Sequence, residues 1–168
     1  PGSNRQQPVK SAAAIAPGSA ENAKAINAAL RSGGSVAIAT TERKHAGSTW
    51  PAGTWFLDGK AAAAADQVAE PGVTLVPMSV LPAGLAAVKA PRVGLYKPWA
   101  ASMDEGWTRW LLEQYGFAPK SVDNATIVKG DLRQAFDVIL LPDVSKEVIA
   151  AGKPKREEGE MAYFVALP

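Results

Sequence analysis

RVGLYKPWAASMDEGWTRWLLEQYG, residues 92–116, decides how this chain is read. Val93, Gly94, Leu95 and Tyr96 form a short apolar run between Pro91 and Lys97-Pro98. A run this short, bounded by prolines, predicts a buried strand and not a helix. Ser102-Met103-Asp104-Glu105 follows with the S-x-x-E spacing of a capping box. In that motif the Ser102 hydroxyl accepts from the Glu105 amide, and the Glu105 carboxylate reaches back to the Ser102 amide. Asp104 and Glu105 also sit where the positive end of a helix favours carboxylates. Trp107, Trp110, Leu111 and Tyr115 recur at spacings of three and four, which predicts one apolar helix face. Gly116 is placed to stop the helix, with Pro119 close behind.

Two readings of this stretch stand side by side. In one, Trp107 and Trp110 anchor the helix on a sheet and the two acids only cap it. In the other, the loop from Trp99 to Glu105 faces a ligand. It follows the carboxyl end of a strand and opens a helix, where open α/β sheets bind small molecules.

Working outward, 12–16, 35–40, 54–57 and 73–76 predict short strands, and 19–32 and 60–69 predict helices. The charged stretch 41–48 reads as a loop. Strands alternating with helices argue for an α/β class with parallel pairing, in two small three-layer units. Residues 1–10 read as a tail, 11–78 as the first unit, and 79–90 (SVLPAGLAAVKA) as a linker. The second unit is 91–168. In it, 121–128 predicts a strand, 130–135 a helical turn, 136–141 (FDVILL) the clearest buried strand, and 144–151 a helix. The charge-dense 153–160 reads as solvated loop, and 161–167 as a last strand or a tail.

Of the 168 residues, 47% are hydrophobic, but much of that is alanine, so Ile, Leu, Val and Trp must supply the core. A net charge of +2, without a Lys/Arg run of binding length, gives no case for nucleic acid. No apolar run approaches the roughly 18 residues that span a bilayer. Without cysteine, a disulfide framework and a thiolate nucleophile are impossible. His45 is the single histidine, so a histidine-based zinc site within one chain is all but excluded. No glycine-rich phosphate loop and no G-x-S-x-G elbow occurs. The acids that could share a crevice are Asp104, Glu105 and Asp143. If the strands before Asp104 and Asp143 are neighbours, these acids lie along one sheet edge and could act as an acid–base pair. In the plainer alternative, Asp143 caps the helix that follows it.

GLYKPWAASMDEGWTRWLLEQYGF (94–117) and NATIVKGDLRQAFDVILLPD (124–143) resemble the region after the catalytic domain in bacterial zinc carboxypeptidase-like proteins of the carboxypeptidase A clan. NAKAINAALRSGGSVAIAT (22–40) and TWPAGTWFL (49–57) resemble the part leading into it. The resemblance implies a periplasmic or extracellular peptidase-like parent. It also implies a flavodoxin-like, class I glutamine amidotransferase-like second unit, with further sheet beyond this chain. The clan's His-x-x-Glu zinc pair and later histidine have no counterpart here, nor has an amidotransferase cysteine. The expectation is therefore a non-catalytic accessory or substrate-binding module, with no cofactor of its own and zinc held in the parent's catalytic domain. Its partners would be that domain and a peptide or cell-wall-like ligand. The residues expected to face the ligand are Trp99, Asp104, Glu105, Trp107 and Asp143, since tryptophan beside carboxylates suits amines, sugars or peptide ends. The competing expectations are a stand-alone hydrolase using the three acids, and a purely structural interaction domain.

Overall fold

The computed structural model describes residues 11–151, and the chain divides into two compact units between Ala90 and Pro91. The fold is mixed α/β, with six helices among the described residues. The expectations for 153–160 and 161–167 lie outside them.

The first unit runs β1 (Ala12–Ile15), α1 (Asn22–Arg31), β2 (Val36–Ile38), β3 (Arg43–His45), β4 (Ser48–Trp50), β5 (Trp55–Leu57), α2 (Gly59–Val68), β6 (Val76–Met78) and β7 (Ala86–Ala87). Its main sheet has the order β6-β1-β5-β2-β7. Every pair in it is antiparallel, which corrects the expected parallel sheet. The reason is local. β2 and β5 are joined through a hairpin with no helix between them, and such neighbours pair antiparallel. β5 therefore lies between β1 and β2, while β1 lies between β5 and β6. The result is a split β-α-β-β-α-β arrangement with the hairpin inserted at its middle.

Both helices pack on one face, giving two layers in place of the expected three. Ala13, Ile15, Val36 and Leu57 from the strands meet Ala25, Ile26, Ala29, Ala61, Ala62 and Ala65 from the helices. Alanines on facing helix sides let the two backbones approach closely. Asp58 caps α2, accepting from the Ala61 amide at 2.8 Å, and also takes the Ser35 amide at 2.5 Å. Gly34 makes room for this, because a Cβ there would lie 2.5 Å from Asp58 Oδ1 and 2.6 Å from the Ala61 nitrogen. On the opposite face, Ala14, Ala39, Phe56 and Met78 are covered by Trp50, Leu81 and Leu85.

Residues 79–90 are not the linker expected. Leu81 and Leu85 pack on that second face, β7 pairs with β2, and Arg43 donates to the Gly84 carbonyl at 2.6 Å. The stretch 41–48, expected as loop, forms most of the β3–β4 hairpin. His45 faces Ser48 across a two-residue turn, Ala46-Gly47, with φ of 50° and 78°. β6 starts three residues later than expected and contains Pro77, which an edge strand tolerates.

The second unit runs β8 (Val93–Tyr96), α3 (Met103–Gln114), β9 (Lys120–Val122), α4 (Asn124–Lys129), α5 (Leu132–Ala135), β10 (Val138–Leu140) and α6 (Lys146–Ala151). Its sheet is parallel, in the order β10-β8-β9. β8 lies in the middle and all four of its residues are buried, as its apolar run predicts. Gly94 is required there, since a Cβ would come within 2.7 Å of Val122 Cγ2 and 3.1 Å of Phe136. Arg92 and Asp137 tie the starts of β8 and β10 together, with an ion pair at 2.6 Å and the Arg92 amide on the same carboxylate at 2.8 Å.

Two expectations change in this unit. The strand at 121–128 is only Lys120–Val122; Asp123 then caps α4 by accepting from the Thr126 amide at 2.8 Å. β10 is less buried than its composition suggests, because it is an outer strand of this sheet; Val138 is exposed and Ile139 and Leu140 are partly so.

Candidate functional site

β8 ends in Tyr96, and the chain continues through Lys97, Pro98 and Trp99. The Lys97 amide donates to the Val122 carbonyl at 2.9 Å, so this loop stays attached to the end of β9. Pro98 is buried, while Trp99 is 57% exposed. Beside them, Asp123, Asn124 and Ala125 open α4, and Val128 stands one turn on. These groups line an open cleft of about 550 Å³ at the carboxyl edge of the parallel strands β8 and β9. Small-molecule sites in α/β folds occupy this edge.

The cleft's polar groups are held in defined orientations. The buried Tyr96 hydroxyl donates to Asn124 Oδ1 at 2.8 Å. Burial pushes the Tyr96 phenol above its ordinary pKa, so it stays a donor. With Oδ1 engaged, the Asn124 NH2 group has both hydrogens to offer. Asp123 Oδ1 accepts from the Thr126 amide at 2.8 Å and the Thr126 hydroxyl at 2.7 Å. The Thr126 hydroxyl, then its amide, hold the Asp123 carboxyl below its usual range, with the Lys97 charge adding to the effect. Asp123 is therefore a carboxylate at neutral pH.

The five residues read from the sequence are distributed unevenly. Trp99 lines the cleft. Trp107 lies on the open side of α3, 62% exposed, beside Trp110 at 53% and Met103 at 75%. The two indoles meet edge to face at 6.0 Å. This overturns the reading in which Trp107 and Trp110 anchor the helix on the sheet. The less exposed residues of α3 are Glu105, Thr108, Arg109 and Leu112, spaced three and four apart on another side. Arg109 joins that side to the approach to β9. It donates to Glu105 at 2.5 Å and 2.9 Å, to the Pro119 carbonyl at 3.2 Å and to Ser121 Oγ at 3.0 Å. Ser102 caps the helix as expected, accepting from the Glu105 amide at 3.2 Å, while the Glu105 carboxylate goes to Arg109.

Asp104 is exposed in the first turn of α3. Asp143 is exposed after β10, and β8 and β10 are neighbours with Leu95 opposite Leu140. The strand ends leading to Asp104 and Asp143 therefore lie side by side. Asp143 is not the helix cap, because Ser145 Oγ accepts from the Val148 amide at 3.3 Å. His45 belongs to the hairpin of the first unit, where its Nε2 donates to the Val80 carbonyl at 2.9 Å.

The sequence does not single out Asp123 and Asn124, because the apolar residues after them suggest a strand. The signal lay in Asp123 with Thr126 three positions on, an N-cap pattern. Compared with known proteins, the chain matches no family model, no curated protein and no solved structure.

Proposed function

We propose that this chain is a non-catalytic accessory module of a zinc carboxypeptidase-like protein working in the periplasm or outside the cell. It docks on the catalytic domain, which carries the zinc, and holds part of a peptide or cell-wall-like substrate in the cleft beside Trp99. The observation that carries this reading is the side of α3 bearing Met103, Trp107, Trp110 and Leu111. All four are exposed large apolar residues on one short helix. An apolar patch of this kind on a soluble surface marks an interaction site. Tryptophans are also the residues on which interface energy concentrates.

The strand order supports the fold that the resemblance implies. Counted in chain order, the parallel strands β8, β9 and β10 lie second-first-third, the order that opens a flavodoxin-like sheet. The hydrolase alternative has less support, because the Glu105 carboxylate is engaged by Arg109.

Sedimentation of the chain mixed with a separately expressed zinc carboxypeptidase-like domain from the same genome tests the docking. A complex is expected, and Trp107→Asp with Trp110→Asp should abolish it. Two independent species at every concentration would end the reading.

A further inference from the structure

We propose that the cleft beside Trp99 binds an uncharged sugar ring, stacked on the Trp99 indole and hydrogen-bonded by Asp123 and Asn124. This rests on the reading of the chain as a substrate-binding module and names the ligand class of that site. The free valences of the cleft lead to it. Asp123 Oδ1 and Asn124 Oδ1 are both engaged internally. The second carboxylate oxygen of Asp123 remains as an acceptor, and the Asn124 NH2 remains as a donor on the next residue. A hydroxyl both donates and accepts, so an acceptor beside a donor matches adjacent hydroxyls of a sugar. Neither a carboxylate nor an ammonium group could use both.

Charge points the same way. Lys97 and Asp123 line the same cleft with opposite signs. Together they leave it without net charge, so a phosphate, a free carboxylate or an amine gains little from its own charge. The remaining walls are Pro98, Ala125 and Val128, with the indole exposed between loop and helix. An indole face packs against the C–H face of a pyranose, while the ring's edge hydroxyls reach polar side chains. The volume of about 550 Å³ lies within the ordinary range of small-ligand clefts.

The test is NMR titration of the indole N–H signals with cellobiose, maltose and N,N′-diacetylchitobiose, with the dipeptide Ala-Ala and inorganic phosphate as comparison ligands. The Trp99 signal is assigned from Trp99→Phe. At least one disaccharide is expected to move that signal saturably at millimolar concentration. Trp99→Ala and Asn124→Leu should each weaken binding about tenfold or more. Val128→Trp, at an exposed position in the cleft's lining, should block it without touching the polar groups. Saturation by Ala-Ala or phosphate and by none of the sugars would overturn the sugar assignment and leave a binding module standing. Silence from every ligand would overturn the sugar assignment and the substrate-holding half of the module. Loss of docking through α3 would instead break the accessory reading while leaving the cleft's chemistry intact.

Discussion

Helices α1 and α2 of the first unit and helix α3 of the second solve the same packing problem in opposite ways. The first two bury small residues against each other and the sheet: Ala25, Ala29, Ala61, Ala62 and Ala65 are fully buried. No residue of α3 is fully buried, and Met103, Trp107, Trp110 and Leu111 face outward. The helix is held instead by Arg109, whose guanidinium joins Glu105, the Pro119 carbonyl and Ser121. Apolar periodicity shows that a helix has a face; it does not say what that face meets. Composition reverses the simple expectation here, since the alanine face makes the core and the tryptophan face is left exposed.

The largest effect should come from overfilling the tight pair. Ala61→Leu adds three carbons where α1 and α2 meet, and we expect a loss of about 2–3 kcal/mol in urea denaturation followed by circular dichroism. A loss near zero would mean that the alanines do not set the spacing of the helices. Next is Arg109→Met, which keeps the aliphatic stem but removes the guanidinium bonds to Glu105, the Pro119 carbonyl and Ser121. We expect about 1–2 kcal/mol, with amide exchange accelerating first in α3. The i,i+4 ion pair with Glu105 supplies only a minor part, because such pairs are weak when partly exposed. The bonds to Pro119 and Ser121 should carry the rest. Exchange unchanged in α3 would show that Leu112 and Thr108 suffice to hold it.

Substitution on the open side should do much less. Trp107→Ser with Trp110→Ser removes the largest side chains of α3, yet we expect stability to change by no more than about 1 kcal/mol. Solubility should rise, since the exposed apolar area falls. A loss comparable to that of Ala61→Leu would show that these tryptophans are covered in solution.

Several local features could be read from residues alone. The Ser102 cap, the Gly116 stop with φ of 76°, and the buried strand at Val93–Tyr96 each depend on neighbours in sequence. The antiparallel first sheet could not be read, because it turns on the β3–β4 hairpin. Two-residue hairpins of this kind are usually announced by Asn-Gly or Asp-Gly. Here the turn is Ala46-Gly47, and the flanking Arg43, Lys44 and His45 look like solvated loop. The site divides the same way. Trp99 stood out by its place after a strand, but Asp123 and Asn124 join it only because β9 lies beside β8. Adjacency of strands is tertiary information, and nothing in residues 120–124 encodes it locally.

The smallest effect separates the two units by the origin of their acid dependence. In the first unit, partial burial works to raise the Asp58 pKa, and the Ala61 and Ser35 amides together outweigh it, so the group titrates below the ordinary 3.8. In the second, hydrogen bonds from the Arg92 side chain and amide, opposed by slight desolvation and aided by its charge, bring Asp137 down to about 2. Both folded values lie below the unfolded ones. Each contribution is therefore complete above the unfolded pKa and is lost as pH falls through the folded value. For Asp137 the window runs from 3.8 down to about 2. Salt should distinguish the two. At about 1 M salt the screening length is near 3 Å, and the Arg92–Asp137 pair stands half in solvent. Carboxyl NMR titrations should then show Asp137 moving back towards 3.8, while Asp58, held by neutral amides, stays in place. Arg92→Met should raise Asp137 further than salt does, because it removes the side-chain hydrogen bonds as well as the charge and leaves only the bond from the backbone amide of residue 92. Equal salt shifts at the two aspartates would mean that charge governs both units, and the contrast between a core closed by backbone geometry and a sheet tied by the Arg92–Asp137 ion pair would fail.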